Sequence, residues 1–134
     1  MTHKHTKMYD DWMAIWNGDF EKIDTLIHKN FIGHWPDHDV KGISGFAEAV
    51  KMGRAYFYDI TFKPVIPPIG YADRISGYWE MTARYLGNMD GAQAEQGIPV
   101  TFRGMDILIF EESKCIEYYV ISDMMALMQQ LKIG

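Results

Sequence analysis

With 134 residues, 48% of them hydrophobic and 14% aromatic, the chain is long enough for one domain with a core of its own and too short for two full ones. A net charge of -5 with no cluster of Lys or Arg argues against nucleic acid as a partner, and no run nears the ~20 apolar residues of a membrane span. The single cysteine, Cys115, has no partner for an internal disulfide and suits a reducing cytoplasm.

Residues 1–7 have basic side chains with no apolar stretch behind them. They read as a disordered terminus, His3 and His5 included, rather than as a secretory signal. Tyr9, Trp12, Met13 and Trp16 then recur at helical spacing, which predicts an amphipathic helix ended by Asn17 and Gly18. Asp19 is placed to cap a second helix, with Phe20, Ile23, Leu26 and Ile27 as its buried stripe and Lys29 and Asn30 at its end. A short apolar strand over 31–35 follows, then a loop over 36–39. Ser44 is placed to cap a third helix over 45–58, with Phe46, Ala49, Val50 and Tyr56 along it.

After residue 58 the hydrophobic period changes from helical to strand-like. Residues 60–66 alternate at their start, and Pro64 predicts an edge position because proline cannot donate to a central ladder. The clearest alternation runs over 74–86, with Ile75, Trp79, Met81, Ala83 and Tyr85 on one face and Ser76, Glu80, Thr82 and Arg84 on the other. Residues 87–97 form a polar, glycine-bearing loop; strands over 99–110 and 115–122 and a helix over 123–131 complete the chain. Helices first and strands after indicate α+β, in one domain over 1–134. A curved, mainly antiparallel sheet wrapped around the N-terminal helices makes a cone-shaped fold with an open mouth, a shape that suits a small-molecule site. Tyr78 and Leu86 stand among polar residues on the outer face of 74–86 and predict a homodimer through that face.

Glu117, Tyr119, Asp123, Leu127 and the pair Gln130 and Leu131 follow one another in the order that ends the SnoaL-like polyketide cyclases, also called ester cyclases. Trp16 to Asp19 before an apolar helix, Phe31 to His34, and Gly42 before a helix also match, so the chain resembles that family over nearly its whole length. Tyr119 stands where Trp is usual. Residues 111–114 replace a glycine-containing turn, and Lys132 and Ile133 separate Gly134 from the Gln-Leu pair it commonly follows. The resemblance implies the α+β cone of the nuclear transport factor 2-like superfamily and cofactor-free acid/base catalysis such as an aldol cyclisation. It also implies that Asp123 is the acid/base group and that His34 faces the cavity.

Taken by themselves, these residues also have plainer roles. Asp123 opens a helix, where Asp is a preferred cap; a helix N-terminus also favours the carboxylate, so cap and base can coexist. Asp106 alternates onto one strand face with Phe102, Gly104, Leu108 and Phe110. A carboxyl among apolar groups is costly unless paired or protonated, and acid/base chemistry is often found at such groups. Pairing with Arg84 or Arg103 is its structural alternative. Ketosteroid isomerase, in the same superfamily, holds a protonated Asp at a similar place as a donor to an oxyanion, and the resemblance implies that role for Asp106. His34 is either a hydrogen-bonded core residue or an acid/base group titrating near neutrality. Trp12, Trp16, Trp35, Trp79, Tyr85 and Tyr119 pack the core, and those that line a cavity offer flat walls to a planar ligand. His34, His38 and Asp39 lack the fixed spacing of a metal site, so no metal is expected. No phosphate-binding glycine motif or nucleophile signature is present. The expected activity is proton transfer, without a cofactor, on a small apolar or aromatic carbonyl compound. Asp123 would move the proton, His34 would assist, and Asp106 or a Tyr would hold the oxyanion. An isomerase or dehydratase centred on Asp106, or a non-catalytic binding protein, are the alternatives on this cone.

Overall fold

Apolar spacing divides the chain where the period changes, with helices mostly before the change and sheet after it. The structure is a computed structural model and describes residues 2–133. The helical part contains α1 (His3–Trp16), a 3-10 turn (Phe20–Lys22), α2 (Ile23–Leu26), β1 (Ile27–His34), β2 (Asp39–Lys41) and α3 (Gly42–Arg54). The sheet part contains β3 (Phe57–Pro64), β4 (Ile69–Tyr71), β5 (Arg74–Tyr85), β6 (Pro99–Glu111) and β7 (Lys114–Ser122), closed by α4 (Met124–Gln130).

The sheet is ordered β2-β1-β7-β6-β5-β3, with β4 on the same edge of β5 as β3. β5, β6 and β7 form an antiparallel meander, whereas β1 joins β7 in parallel. The result is a curved, mixed but mainly antiparallel sheet that does not close. Every second residue of β5 from Ile75 to Tyr85 is buried, so the alternation in the sequence is the inner face of this sheet. Pro64 ends the edge strand β3, where its missing N–H costs no ladder bond.

The helices fill the concave side. α1 buries Tyr9, Trp12, Met13 and Trp16 against the sheet. Its end is held by Asn17, whose side chain exchanges two hydrogen bonds with the backbone of Phe62 at 2.9 and 2.6 Å. Arg54 Nη1 donates to the Trp16 carbonyl at 2.7 Å, placing a cation at the helix C-terminus. α4 packs against β6, where the Gln130 side chain exchanges two hydrogen bonds with the Thr101 backbone.

Four sequence expectations are corrected. Residues 3–7 are helical, not disordered. Thr2 and His5 form a capping box, and His5 Nε2–H donates to the Ala72 carbonyl at 2.8 Å, tying the terminus to the sheet; Met1 lies outside the described residues. The helix after Asp19 is only a 3-10 turn and four residues, because the ladder with β7 already claims Ile27; Asp19 makes no side-chain cap and Phe20 is 45% exposed. α3 starts at Gly42, whose left-handed φ of 73° turns the chain straight out of β2, so Ser44 lies inside the first turn. The same helix stops at Arg54 because Phe57 already pairs with Tyr85.

Candidate active site

Helices α1 and α3, the inner face of the sheet and the start of α4 enclose a cavity of about 480 Å³, a volume ordinary for small-molecule sites. All four tryptophans of the chain, Trp12, Trp16, Trp35 and Trp79, line it. Its wall is largely aromatic and aliphatic. It opens where the exposed side chains His38, Glu48, Met52 and Met124 form its rim.

One carboxyl reaches the interior. Asp106, on β6, is 2% exposed and lines the cavity. Tyr9 on α1 donates its hydroxyl to Asp106 Oδ1 at 3.0 Å, and Tyr118 on β7 donates to Oδ2 at 3.0 Å. The backbone of Gly77, its cross-strand partner, also hydrogen-bonds the carboxyl. Neither Arg84 nor Arg103 pairs with it: Arg84 holds the Gly97 carbonyl, and Arg103 holds Glu80 and Tyr78 on the outer face. The phenol of Tyr9 reaches Asp106 only because residue 77 is glycine, since a Cβ there would overlap the Tyr9 ring. Gly77→Ala is therefore expected to detach Tyr9 from Asp106 and to cost roughly 1–3 kcal/mol, the range for overpacking, read as a lower urea midpoint with unchanged slope.

Burial pushes the Asp106 carboxyl up to about 7, against the hydrogen bonds from Tyr118, Tyr9 and Gly77 that lower it. Burial, then the Asp106 charge, pushes the Tyr9 phenol far above its usual value, and Tyr118 moves the same way for the same first reason. Both phenols therefore stay protonated as donors at neutral pH, while Asp106 is there in both forms. A group that both takes and returns protons near the working pH is what general acid/base catalysis requires.

The three expected catalytic side chains do not meet. Asp123 is exposed at the end of β7 and caps α4, its Oδ1 accepting from the Ala126 amide at 3.0 Å. His34 lies on the outer face of the sheet. Its Nε2 is 2.8 Å from Glu117 Oε2, its Nδ1 is 3.1 Å from Asp39 Oδ1, and its ring stacks on Tyr119 at 4.6 Å. The Glu117 hydrogen bond raises the His34 pKa, and the same bond holds Glu117 below the usual carboxylate range. Tyr119 therefore belongs to this outer cluster. Tyr85 is buried but turned to Met89 beside the loop, its hydroxyl accepting from the Met89 amide at 2.8 Å. His38 is the histidine that does touch the cavity, at its rim.

The sequence profile of the SnoaL-like polyketide cyclases matches residues 5–131. The chain belongs to this family. Among solved structures it is similar to AclR, a candidate hydroxylase from Streptomyces galilaeus, at 18% identity over 100% of this chain and 88% of that one, with a TM-score of 0.85. A candidate polyketide cyclase from Acidithiobacillus ferrooxidans is 21% identical over 98% of both chains, TM-score 0.85. IdmH, a candidate polyketide cyclase from Streptomyces antibioticus, is 16% identical over 98% of this chain and all of that one, TM-score 0.83. At such identities these likenesses show the fold, the nuclear transport factor 2-like cone. No curated protein matches the sequence significantly.

In this SnoaL-like chain the polar partners of Asp106 were the residues that sequence patterning passed over. Helical spacing announces the burial of Tyr9 but not the partner of its hydroxyl, and the family order points to Tyr119 rather than to its neighbour Tyr118. A bulge lies between Cys115 and Tyr118 in β7: Ile109 pairs with Glu117 but Phe110 with Cys115, so with one extra residue between them both Cys115 and Tyr118 face inward. For His34 the signal was available, since Phe31 and Gly33 are buried and simple alternation then sends His34 outward. Burial raises the pKa of the Cys115 thiol, which suits the core role its strand position suggested. Two other buried groups stand out. The indole Nε1 atoms of Trp12 and Trp16 have no acceptor among the described residues, at a cost of about 1–3 kcal/mol for each buried donor left unmatched.

Proposed function

We propose that this protein catalyses proton transfer on a small, largely apolar carbonyl compound bound in the cavity, with Asp106 as the group that takes and returns the proton. The observation that supports this reading is a buried carboxyl, raised to about 7 by burial, in the wall of a largely apolar cavity whose other carboxyl, Glu48, stands at the exposed rim. As the carboxylate, Asp106 removes a proton from carbon next to a carbonyl; as the acid, it returns that proton to another carbon of the enolate in an isomerisation, to the alkoxide formed when the enolate carbon attacks a second carbonyl in an aldol cyclisation, or to the departing hydroxyl in a dehydration. Tyr9 and Tyr118 each commit their one O–H to Asp106, which fixes the carboxyl in the cavity wall and favours its charged form. Aldol cyclisation, isomerisation and dehydration all pass through such an enolate. Asp123 serves as the helix cap, and His34 as part of the outer face.

The test is to isolate the protein from its native cells, measure its mass under native conditions, and identify any molecule it retains. Incubation of that molecule with fresh protein then decides the matter. Conversion to an isomer or to a product lighter by water is expected. A ligand that is held unchanged would make the protein a carrier on the same cone.

The protein is further proposed to act as a homodimer through the outer face of the sheet. Met105, Ile107, Tyr119 and Ile121 form a contiguous apolar group there, with Ile121 74% exposed. Leu86, expected to belong to this face, lies just past the end of β5. Ile107→Lys with Ile121→Lys is expected to convert a dimer into a monomer in sedimentation velocity at micromolar concentration, with the cavity unchanged.

A further inference from the structure

Proton removal by Asp106, the reading on which this inference rests, leaves negative charge on the ligand's carbonyl oxygen, and that charge needs a donor. Few groups in the cavity can supply one. Among the described residues no Lys or Arg lines it. Tyr9 and Tyr118 commit their hydroxyl protons to Asp106, and the indole nitrogens of Trp12 and Trp16 are shut away from accessible space. His38 and Glu48 stand at the exposed rim. The lining hydroxyls that remain are Tyr56, in the turn after α3, and Ser122, at the end of β7.

Ser122 is the one that the sheet sets beside Asp106. Tyr118, Val120 and Ser122 succeed one another on the inner face of β7, with Ile121 turned outward between the last two. Asp106 pairs with Val120 and Gly104 with Ser122, so Ser122 is the diagonal neighbour of Asp106 on one face, their Cβ atoms about 7 Å apart. Gly104, directly opposite Ser122, has no side chain to stand in the way; the Trp79 ring lies over that glycine and continues the flat wall. Ser122 is half-buried. Its hydroxyl has no hydrogen-bond partner among the described residues, and unlike the two indole nitrogens it is not sealed from accessible space.

We propose that Ser122 is a second catalytic residue of this site, its hydroxyl donating a hydrogen bond to the oxygen of the enolate that Asp106 creates. Each Asp106 oxygen keeps a further lone pair after the phenol bonds, and one of these takes the proton from carbon. The C–H electron pair becomes the carbon–carbon π bond, and the carbonyl π pair moves onto oxygen, facing the Ser122 hydroxyl. Ser122 keeps its own proton throughout. An enolisable carbon and the adjacent carbonyl oxygen fit between the two side chains with contacts of ~3 Å at each end. Charge gathers on that oxygen only as the proton leaves, so the bond favours the transition state over the bound ketone.

Hydrogen–deuterium exchange of 1-tetralone in D2O, followed by proton NMR, tests this. Its enolisable methylene exchanges as Asp106 removes a hydrogen and returns a solvent deuteron. Ser122→Ala is expected to lower kcat about 100-fold, the scale for one oxyanion donor, with KM within about twofold of wild type. Ser122→Thr, which keeps the hydroxyl, should retain most of the rate. 1-Naphthol, which has the planar carbon–oxygen geometry of the enol, should bind the wild type about tenfold more tightly than Ser122→Ala, whereas naphthalene should bind both alike. If Ser122→Ala fails to fold, Ser122→Cys, a weaker donor of similar size, carries the same comparisons. A Ser122→Ala rate within about threefold of wild type, an equal loss in Ser122→Thr, or an unchanged 1-naphthol affinity in Ser122→Ala would overturn the proposal; if Asp106→Asn still abolishes exchange, the Asp106 reading stands. Wild-type protein that accelerates no exchange would overturn both.

Discussion

Asp106→Asn is expected to lower turnover by about 100- to 10,000-fold, the range for loss of a general acid/base group, while the fold persists. Asparagine keeps the shape and can still accept a hydrogen bond from Tyr9 or Tyr118, but it cannot exchange a proton with a substrate. Asp123→Asn should stay close to the wild-type rate, because its side chain caps α4 from an exposed position and asparagine caps nearly as well. Asp123→Ala should cost about 1 kcal/mol of stability for the lost cap, again with little change in rate. Steady-state rates of the three variants on one identified substrate, with circular dichroism to verify folding, separate the two carboxyls. A fully active Asp106→Asn enzyme would remove Asp106 from the chemistry.

The second expected result is an unusual dependence of stability on pH. The folded Asp106 carboxyl, raised to about 7 by burial, keeps a proton that the unfolded chain releases at about 3.9. Between those values folding takes up a proton. The contribution of this group is therefore full below about pH 4 and is lost as pH rises through about 7, on the order of 4 kcal/mol across the window. His34, whose pKa is also raised, adds a loss in the same direction beginning near its unfolded value. Glu117, whose pKa is lowered, has the opposite sign and loses its contribution only in acid. Asp106→Asn should flatten the wild-type fall between pH 5 and 8 and leave the variant the more stable protein at pH 8. Urea denaturation at several pH values measures both. Parallel curves for the two proteins would show that Asp106 is ionised throughout, and with it the acid/base reading would lose its basis.

The architecture was readable because it rests on period. Buried positions along β5 recur every second residue without a break, and Trp12 and Trp16 stand four apart on α1, so burial and spacing agree. The site was half readable for the same reason. Asp106 shares its strand face with Leu108 and Phe110, both buried, and that regular stretch placed it correctly. Tyr118 was hidden by one added residue in β7, which no local propensity announces. Asp123 and His34 were assigned through family likeness, and their side chains leave the cavity because a helix cap and an outward register claim them. The turn between β6 and β7 illustrates the difference between geometry and composition. Glu112 and Ser113, with φ of 53° and 67°, adopt the left-handed conformation that glycine would take more cheaply, so the hairpin survives without the residue usually found in it.

The parallel pairing of β1 with β7 has a bearing on how the chain reaches this state. Residues 27–34 have only β2 and β7 as strand neighbours, and β7 is the last strand made. The ribosome must therefore deliver nearly the whole chain before β1 finds its principal ladder and before Tyr118 reaches Asp106. Closing so long a loop precedes any reward from the contacts it allows, which slows folding. Until then Trp12 lacks the Tyr118 ring that lies 4.4 Å from it in the folded chain, and one side of the aromatic core stays open.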